Sequence, residues 1–225
     1  SKKLQPFRFQ EDACQHIIYR RSGLVNAPTG CGKTFSVFLG SVIQFINENQ
    51  KSWQTKKNSG LQLLWITPLR ALAKDIGRAM EDVVRELGIK WQIGIRNGDT
   101  DITERQRQTR QMPEVLIITP ESLMLLLAQK NYPNFFSSLQ IIAVDEWHEL
   151  LGSKRGVQVE LALSRLVNVN CELPTSNIKP QTSNFKPSIW GISATIGNLE
   201  EAKEVLLSSL VDGPDKAVIV KAQME

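Results

Sequence analysis

Two short stretches hold the residue types needed to bind and split a phosphoanhydride: Ala27-Pro28-Thr29-Gly30-Cys31-Gly32-Lys33-Thr34 and Asp145-Glu146-Trp147-His148. In the first, Gly30 and Gly32 let backbone N–H groups turn toward an anion, and Lys33 reaches the outer phosphates. Thr34 can set its hydroxyl on Mg²⁺ at the start of a helix whose dipole also favours negative charge. In the second, Asp145 is placed to hold the metal ion, and Glu146 to orient and deprotonate an attacking water. Adjacent residues leaving a strand point to opposite faces, so two neighbouring carboxylates can take two roles. A glycine turn before an ordinary helix, or an acid-rich helix start, would explain either stretch alone. Their combination points to nucleotide hydrolysis assisted by Mg²⁺.

Such residues need a scaffold that brings strand ends together. Short apolar runs at Gly23–Asn26, Leu61–Thr67, Ile93–Arg96, Val115–Thr119, Ile141–Asp145 and Ile189–Ser193 read as strands. Several are continuous rather than alternating, as burial on both faces of a parallel sheet requires. Helical patterns lie between them at Phe9–Arg20, Thr34–Asn47, Arg70–Leu87, Thr103–Gln111, Ser122–Ala128, Gly156–Val167 and Leu199–Ser209. The alternation predicts an α/β fold with a doubly wound, mostly parallel sheet. Ligands of such sheets bind beyond the carboxyl ends of the strands, and the unusual segments of this sequence sit there. Residues 168–188, with Pro174, Pro180 and Pro187, read as an excursion before the last core strand, and residues 216–221 as a short apolar strand or linker.

Taken in order, these pieces resemble the first RecA-like domain of a superfamily-two DExH helicase. Asp145-Glu146-x-His148 and Ser193-Ala194-Thr195 carry the likeness, and it spans almost the whole chain. The run from Asp145 to Gly156 is similar to Lhr-type helicases of bacteria, closest to the ligase-associated branch implicated in DNA repair. The resemblance implies that Phe9 and Gln10 read adenine and that Thr29–Thr34 bind the phosphates. It implies that Thr67-Pro68-Leu69-Arg70 and Thr119-Pro120-Glu121-Ser122 hold a nucleic-acid backbone, with Arg96, Gly98, Asp99 and Arg155 beside them. His148, Ser193 and Thr195 would couple the nucleotide to that groove. The implied partner is single-stranded DNA, with RNA or an RNA–DNA hybrid as the alternative. Also implied are a second RecA-like domain in cis, a repair ligase or nuclease, and a bacterial cytoplasmic, nucleoid-associated setting. Residues 1–212 would form the ATP-binding domain, and 213–225 a linker or terminal strand toward the second domain. Departures exist: Ala27 replaces the usual first glycine, Cys31 puts a thiol against the phosphates, and Asn97 stands where relatives show threonine.

Physical readings of these loops agree. Thr-Pro at a strand end offers a hydroxyl, a rigid turn and free N–H groups, all suited to phosphate. The helix over Glu104–Arg110 reads as a solvated face, and Trp147 as core packing. The 225 residues are 41% apolar, enough for one large α/β domain, and the net charge of +4 is compatible with a polyanion. Three scattered cysteines argue against a disulfide framework. No apolar run reaches membrane-span length. Two rivals remain: a metabolic P-loop NTPase, which would leave the Thr-Pro pair and Ser-Ala-Thr without a task, and a non-catalytic nucleic-acid module, against which Lys33, Thr34, Asp145 and Glu146 all stand.

Overall fold

The computed structural model describes residues 6–169, 186–194, 196–210 and 217–222. Seven strands form one sheet: β1 Gly23–Asn26, β2 Leu63–Ile66, β3 Ile93–Arg96, β4 Val115–Ile118, β5 Ile141–Val144, β6 Ser188–Ser193 and β7 Val218–Lys221. Their spatial order is β3-β4-β2-β5-β6-β1-β7, and every pairing is parallel. The helices are α1 Arg8–Ile18, α2 Lys33–Glu48, α3 Arg70–Leu87, α4 Ile102–Arg110, α5 Pro120–Leu127, α6 Tyr132–Phe136, α7 Trp147–Leu150, α8 Lys154–Val167 and α9 Leu199–Leu207. The expected doubly wound α/β architecture is present. The short helices α6 and α7 lie in stretches too brief for hydrophobic periodicity to register.

Strand composition explains the layering. Every residue of β2, β4 and β5 is buried. Because side chains alternate, these continuous runs feed two cores at once. Leu64, Ile66, Leu116, Ile118, Ile142 and Val144 enter one core, and Leu63, Trp65, Val115, Ile117, Ile141 and Ala143 enter the other. Strand β3 stands at the sheet margin and alternates half-buried with buried residues. Helix α3 shows the matching helical period: Ala73, Gly77, Met80 and Val84 are its buried residues. It ends at Gly88 in the left-handed region, where the Ile89 N–H donates to the Val84 carbonyl at 2.9 Å.

Three helix starts are capped by sequence-local side chains. Asp101, Ser153 and Asn198 each accept a backbone N–H three residues on, at 2.7, 3.1 and 3.2 Å. Pro120 opens α5, where its missing N–H and fixed φ cost nothing. The expected excursion at 168–188 falls mostly on residues 170–185, outside the described residues, as does Cys171. Residues 218–221 pair with β1, Gly23 lying opposite Val218.

Candidate active site and strand-end groove

Parallel strands deliver all their C-terminal ends to one edge, so six loops converge there. The strand order divides them. Neighbouring strands β1, β6 and β5 carry the Pro28–Thr34 loop, Ser193 and Asp145-Glu146, and neighbouring strands β2, β4 and β3 carry Thr67–Arg70, Thr119–Ser122 and Arg96–Asp99. Nucleotide candidates therefore occupy one half of the edge and backbone-binding candidates the other, meeting where β5 lies beside β2.

The phosphate loop depends on two glycines in the left-handed region, Gly30 at φ 85° and Gly32 at φ 72°. A side chain at Gly32 would also strike Gln10: a Cβ there would lie 2.7 Å from its Nε2. Gln10 Nε2 donates to the Cys31 and Gly32 carbonyls at 3.3 and 3.1 Å, and its Oε1 accepts the Phe7 N–H at 3.0 Å. The glutamine thus ties the loop to the start of α1. Phe9 does not stand beside it as an adenine platform. It is 5% exposed and belongs to the core, because the α1 period turns it inward with Ala13 and Ile17. The exposed aromatic at the start of α1 is Phe7, stacked on Phe9 with centroids 6.0 Å apart.

Lys33 opens α2, is 7% exposed, and its Nζ has no hydrogen-bond partner among the described residues. A buried ammonium without partners is costly, and an anion is what would satisfy it. Thr34 is half-buried next to it. Asp145, 4% exposed, emerges from β5 with both carboxylate oxygens engaged. Oδ1 accepts the Glu146 N–H at 3.0 Å, and Oδ2 accepts the Trp65 Nε1–H at 3.3 Å. Burial, then the Glu146 charge, pushes the Asp145 carboxyl up to about 6, against the pull of these hydrogen bonds and of Lys33. Among the described residues no cluster of three or more His, Cys, Asp or Glu could hold a metal. A hydroxyl and one carboxylate fit Mg²⁺, which commonly takes its remaining ligands from phosphate and water.

Glu146 is a non-glycine residue in the left-handed region, φ 48° and ψ 44°, at the start of α7. Such strain persists where the surroundings impose it. Its Oε2 lies 3.4 Å from His148 Nδ1, which is also 3.2 Å from the Ser193 hydroxyl. With a proton on Nδ1 the ring donates to Glu146; without it, the ring accepts from Ser193. Two further bonds join the loop to this segment: the Ala27 N–H donates to the Ser193 carbonyl at 3.2 Å, and Asn26 Nδ2 to the Ala194 carbonyl at 2.9 Å. Thr195 lies outside the described residues. Trp147 is core: it is fully buried and donates to the Ala202 carbonyl at 2.9 Å.

In the other half, Thr67, Pro68, Thr119, Pro120 and Ser122 are buried at the strand ends. Thr67 Oγ1 accepts the Leu69 N–H at 3.4 Å, and Thr119 Oγ1 donates to Ser122 Oγ at 3.1 Å. Arg70 and Arg155 are each half-exposed and paired with a carboxylate from another strand end. Arg70 meets Asp99 at 3.4 Å, and Arg155 meets Glu121 at 2.6 Å. Arg70 lies flat against Gly98, where a Cβ would come within 2.9 Å of its guanidinium. The Asn97 side chain shapes that turn, accepting the Asp99 N–H at 2.9 Å. Arg96 does not join the groove. It is 7% exposed and donates to the Arg105 carbonyl at 3.3 Å, because the β3 pleat turns it under α4. Burial and the Arg105 charge lower its pKa. It braces a helix.

Residues 7–203 match the DEAD/DEAH box helicase family. The chain belongs to that family. Among DEAD/DEAH box helicases it is similar to the ATP-dependent helicase Lhr-Core of Methanocaldococcus jannaschii, 32% identical over 89% of this chain and 23% of the relative. It is likewise similar to Lhr-Core of Methanothermobacter thermautotrophicus, 34% identical over 94% of this chain and 24% of the relative. The structure of Mycobacterium smegmatis helicase Lhr bound to ssDNA and AMP-PNP superposes with a TM-score of 0.77 at 29% identity, covering 97% of this chain and 26% of that one. The chain thus spans about a quarter of the relatives it matches. No helix among the described residues is long and apolar enough to cross a membrane.

Sequence reading missed Phe7, Asn26 and Trp65. The one available signal was a tryptophan in an otherwise aliphatic strand, two residues before Thr67.

Proposed function

We propose that this chain is the nucleotide-binding motor domain of an ATP-dependent DNA helicase or translocase. The observation that carries the reading is the Lys33 ammonium, buried at the head of α2, without a hydrogen-bond partner among the described residues and electrostatically coupled to Asp145. Lys33 and the loop N–H groups would take the β- and γ-phosphates, and Thr34 with Asp145 would hold Mg²⁺, which supplies charge neutralisation across those phosphates. Glu146 would orient the water and accept its proton, and the His148–Ser193 contact would report its state to the next segment. Gln10 would sense the nucleotide through the loop carbonyls it holds. Thr67, Thr119, Arg70 and Arg155 would track a single strand by its phosphates, with Asp99 and Glu121 acting through the arginines they pair with.

Single-stranded DNA is favoured because the Lhr structure that superposes on this chain is bound to it, and because the DUF1998 helicase MrfA, 25% identical with a TM-score of 0.72, is also seen bound to DNA. In this proposal the domain does not end at residue 212 but runs on through β7, whose residues 218–221 pair within its sheet, and a second RecA-like domain completes the site. The protein then works in the cytoplasm with a repair ligase or nuclease. The test is the ATPase of the full-length protein. Strong stimulation by single-stranded DNA, lost in Lys33→Ala, is expected. Turnover indifferent to any nucleic acid would refute the reading.

A further inference from the structure

Two buried residues of opposite charge, Lys33 and Asp145, face each other's field without pairing. Lys33 Nζ has no hydrogen-bond partner among the described residues, although Asp145 feels its charge. A buried charge left without a partner is costly. Asp145 instead has two neutral donors. Trp65, fully buried on β2, donates its indole N–H to Oδ2 at 3.3 Å, while the Glu146 N–H holds Oδ1 at 3.0 Å. The reach follows from register. Trp65 stands opposite Ala143, so Asp145 is its diagonal neighbour on the same face, within range of a large aromatic side chain. An aliphatic residue would fill this slot in the core as well, but without a donor.

The geometry points to Trp65 as a positioning residue: its indole N–H fixes the Asp145 carboxylate toward the metal ion. This rests on the reading of Asp145 as the metal-holding carboxylate. The indole suits the task because it is a donor only, carries no charge, and cannot compete for the cation. One lone pair on each Asp145 oxygen stays free for the metal or its water. The brace also comes from the strand that ends in Thr67–Arg70, so it lies on the seam between the two halves of the edge.

The test uses the full-length protein and nucleotide binding by calorimetry across a titration of Mg²⁺ or Mn²⁺. Outer hydrogen-bond partners of metal ligands contribute about 10–100-fold in metal affinity, so Trp65→Phe is expected to raise the half-saturating metal concentration about tenfold. Because Phe also loses volume, a second variant carries the benzothiophene analogue of tryptophan at position 65, with the same shape and no N–H. It is expected to show the same shift. In an Asp145→Asn background neither change is expected to move the metal dependence further, since the coupling runs through that carboxylate. Wild-type metal dependence in the benzothiophene variant would overturn the proposal, as would an equal shift in the Asp145→Asn background. If Asp145→Asn alone leaves metal dependence intact, the assignment of Asp145 fails and this role of Trp65 with it, a result separable from the first two.

Discussion

Lys33→Met is expected to stabilise the nucleotide-free chain while crippling nucleotide binding. In the wild type the Nζ is buried at the positive end of α2 and has no hydrogen-bond partner among the described residues. An unsatisfied buried polar group costs about 1–3 kcal/mol, more when charged, and a cation at a helix N-terminus adds about 0.3–1 kcal/mol. The attraction of Asp145 offsets part of this. Methionine keeps the aliphatic stem and removes the charge, so a net gain of about 2 kcal/mol is expected. For a chain of this size that is about 4–8 °C in the melting midpoint. Nucleotide reverses the order. Losing a charge-assisted contact worth about 1.5–3 kcal/mol weakens binding about 10–150-fold. Mg-nucleotide at 100 times the wild-type Kd stabilises the wild type by about 2.7 kcal/mol and the variant by only about 0.3–1.4 kcal/mol. Scanning calorimetry with and without a non-hydrolysable nucleotide reads both effects. A variant that melts below the wild type without nucleotide would show that the amine is well satisfied in the empty site, and the reasoning would be wrong.

Glu146→Gln in the full-length protein is expected to retain nucleotide binding and lose nearly all turnover, because the amide keeps the shape but accepts no proton; wild-type steady-state ATPase would remove Glu146 as the base. Arg70→Ala and Arg155→Ala are each expected to flatten the salt dependence of DNA binding by about one unit for each phosphate no longer neutralised, whereas Arg96→Ala is expected to lower the melting midpoint and leave the slope alone, as fluorescence anisotropy across a salt series would show. Metal-dependent nucleotide binding is expected to weaken as pH falls through about 6, where the raised Asp145 carboxyl takes up its proton, and to fall less steeply in Asp145→Asn, where the terminal phosphate of the nucleotide still titrates; calorimetry between pH 5 and 8 checks this. The sign for stability is opposite: with a folded pKa above the ordinary aspartate value of 3.8, Asp145 favours the fold below about pH 4 and loses that contribution as pH rises through about 6. Cys31, half-buried in the loop, is expected to alkylate faster than Cys14, whose thiol is pushed up to about 11 by burial and then by Glu11, and Mg-ATP is expected to protect it. Labelling followed by mass spectrometry decides it, and equal rates or no protection would refute it.

The strand-end pairings of the two exposed arginines bear on how such a groove would work. Arg70–Asp99 and Arg155–Glu121 are solvent-accessible pairs, the class worth about 0–1 kcal/mol. A phosphate can therefore take over either guanidinium at little cost. Each arginine is pre-oriented by its acid and keeps further N–H donors for a backbone.

Local chemistry determined much of this protein without tertiary information. Gly30 and Gly32 mark the turn of the candidate phosphate loop because few other residues accept positive φ. The unbroken apolar runs of β2, β4 and β5 declare a two-faced parallel sheet because alternating side chains must all be buried. Once the strands are parallel, their functional ends must share an edge. What the order of residues did not contain is which way a side chain at that edge points, and which neighbour it meets. Arg96 and Arg70 look alike in sequence, yet the pleat of β3 buries one under α4 while the other lies over Gly98. Phe7 and Phe9 differ by two positions, and only the packing of α1 shows which is free. The Trp65–Asp145 bond joins residues 80 apart in the chain. It exists because β2 and β5 pair in one register, and a slip of a single residue would have turned the indole to the opposite core.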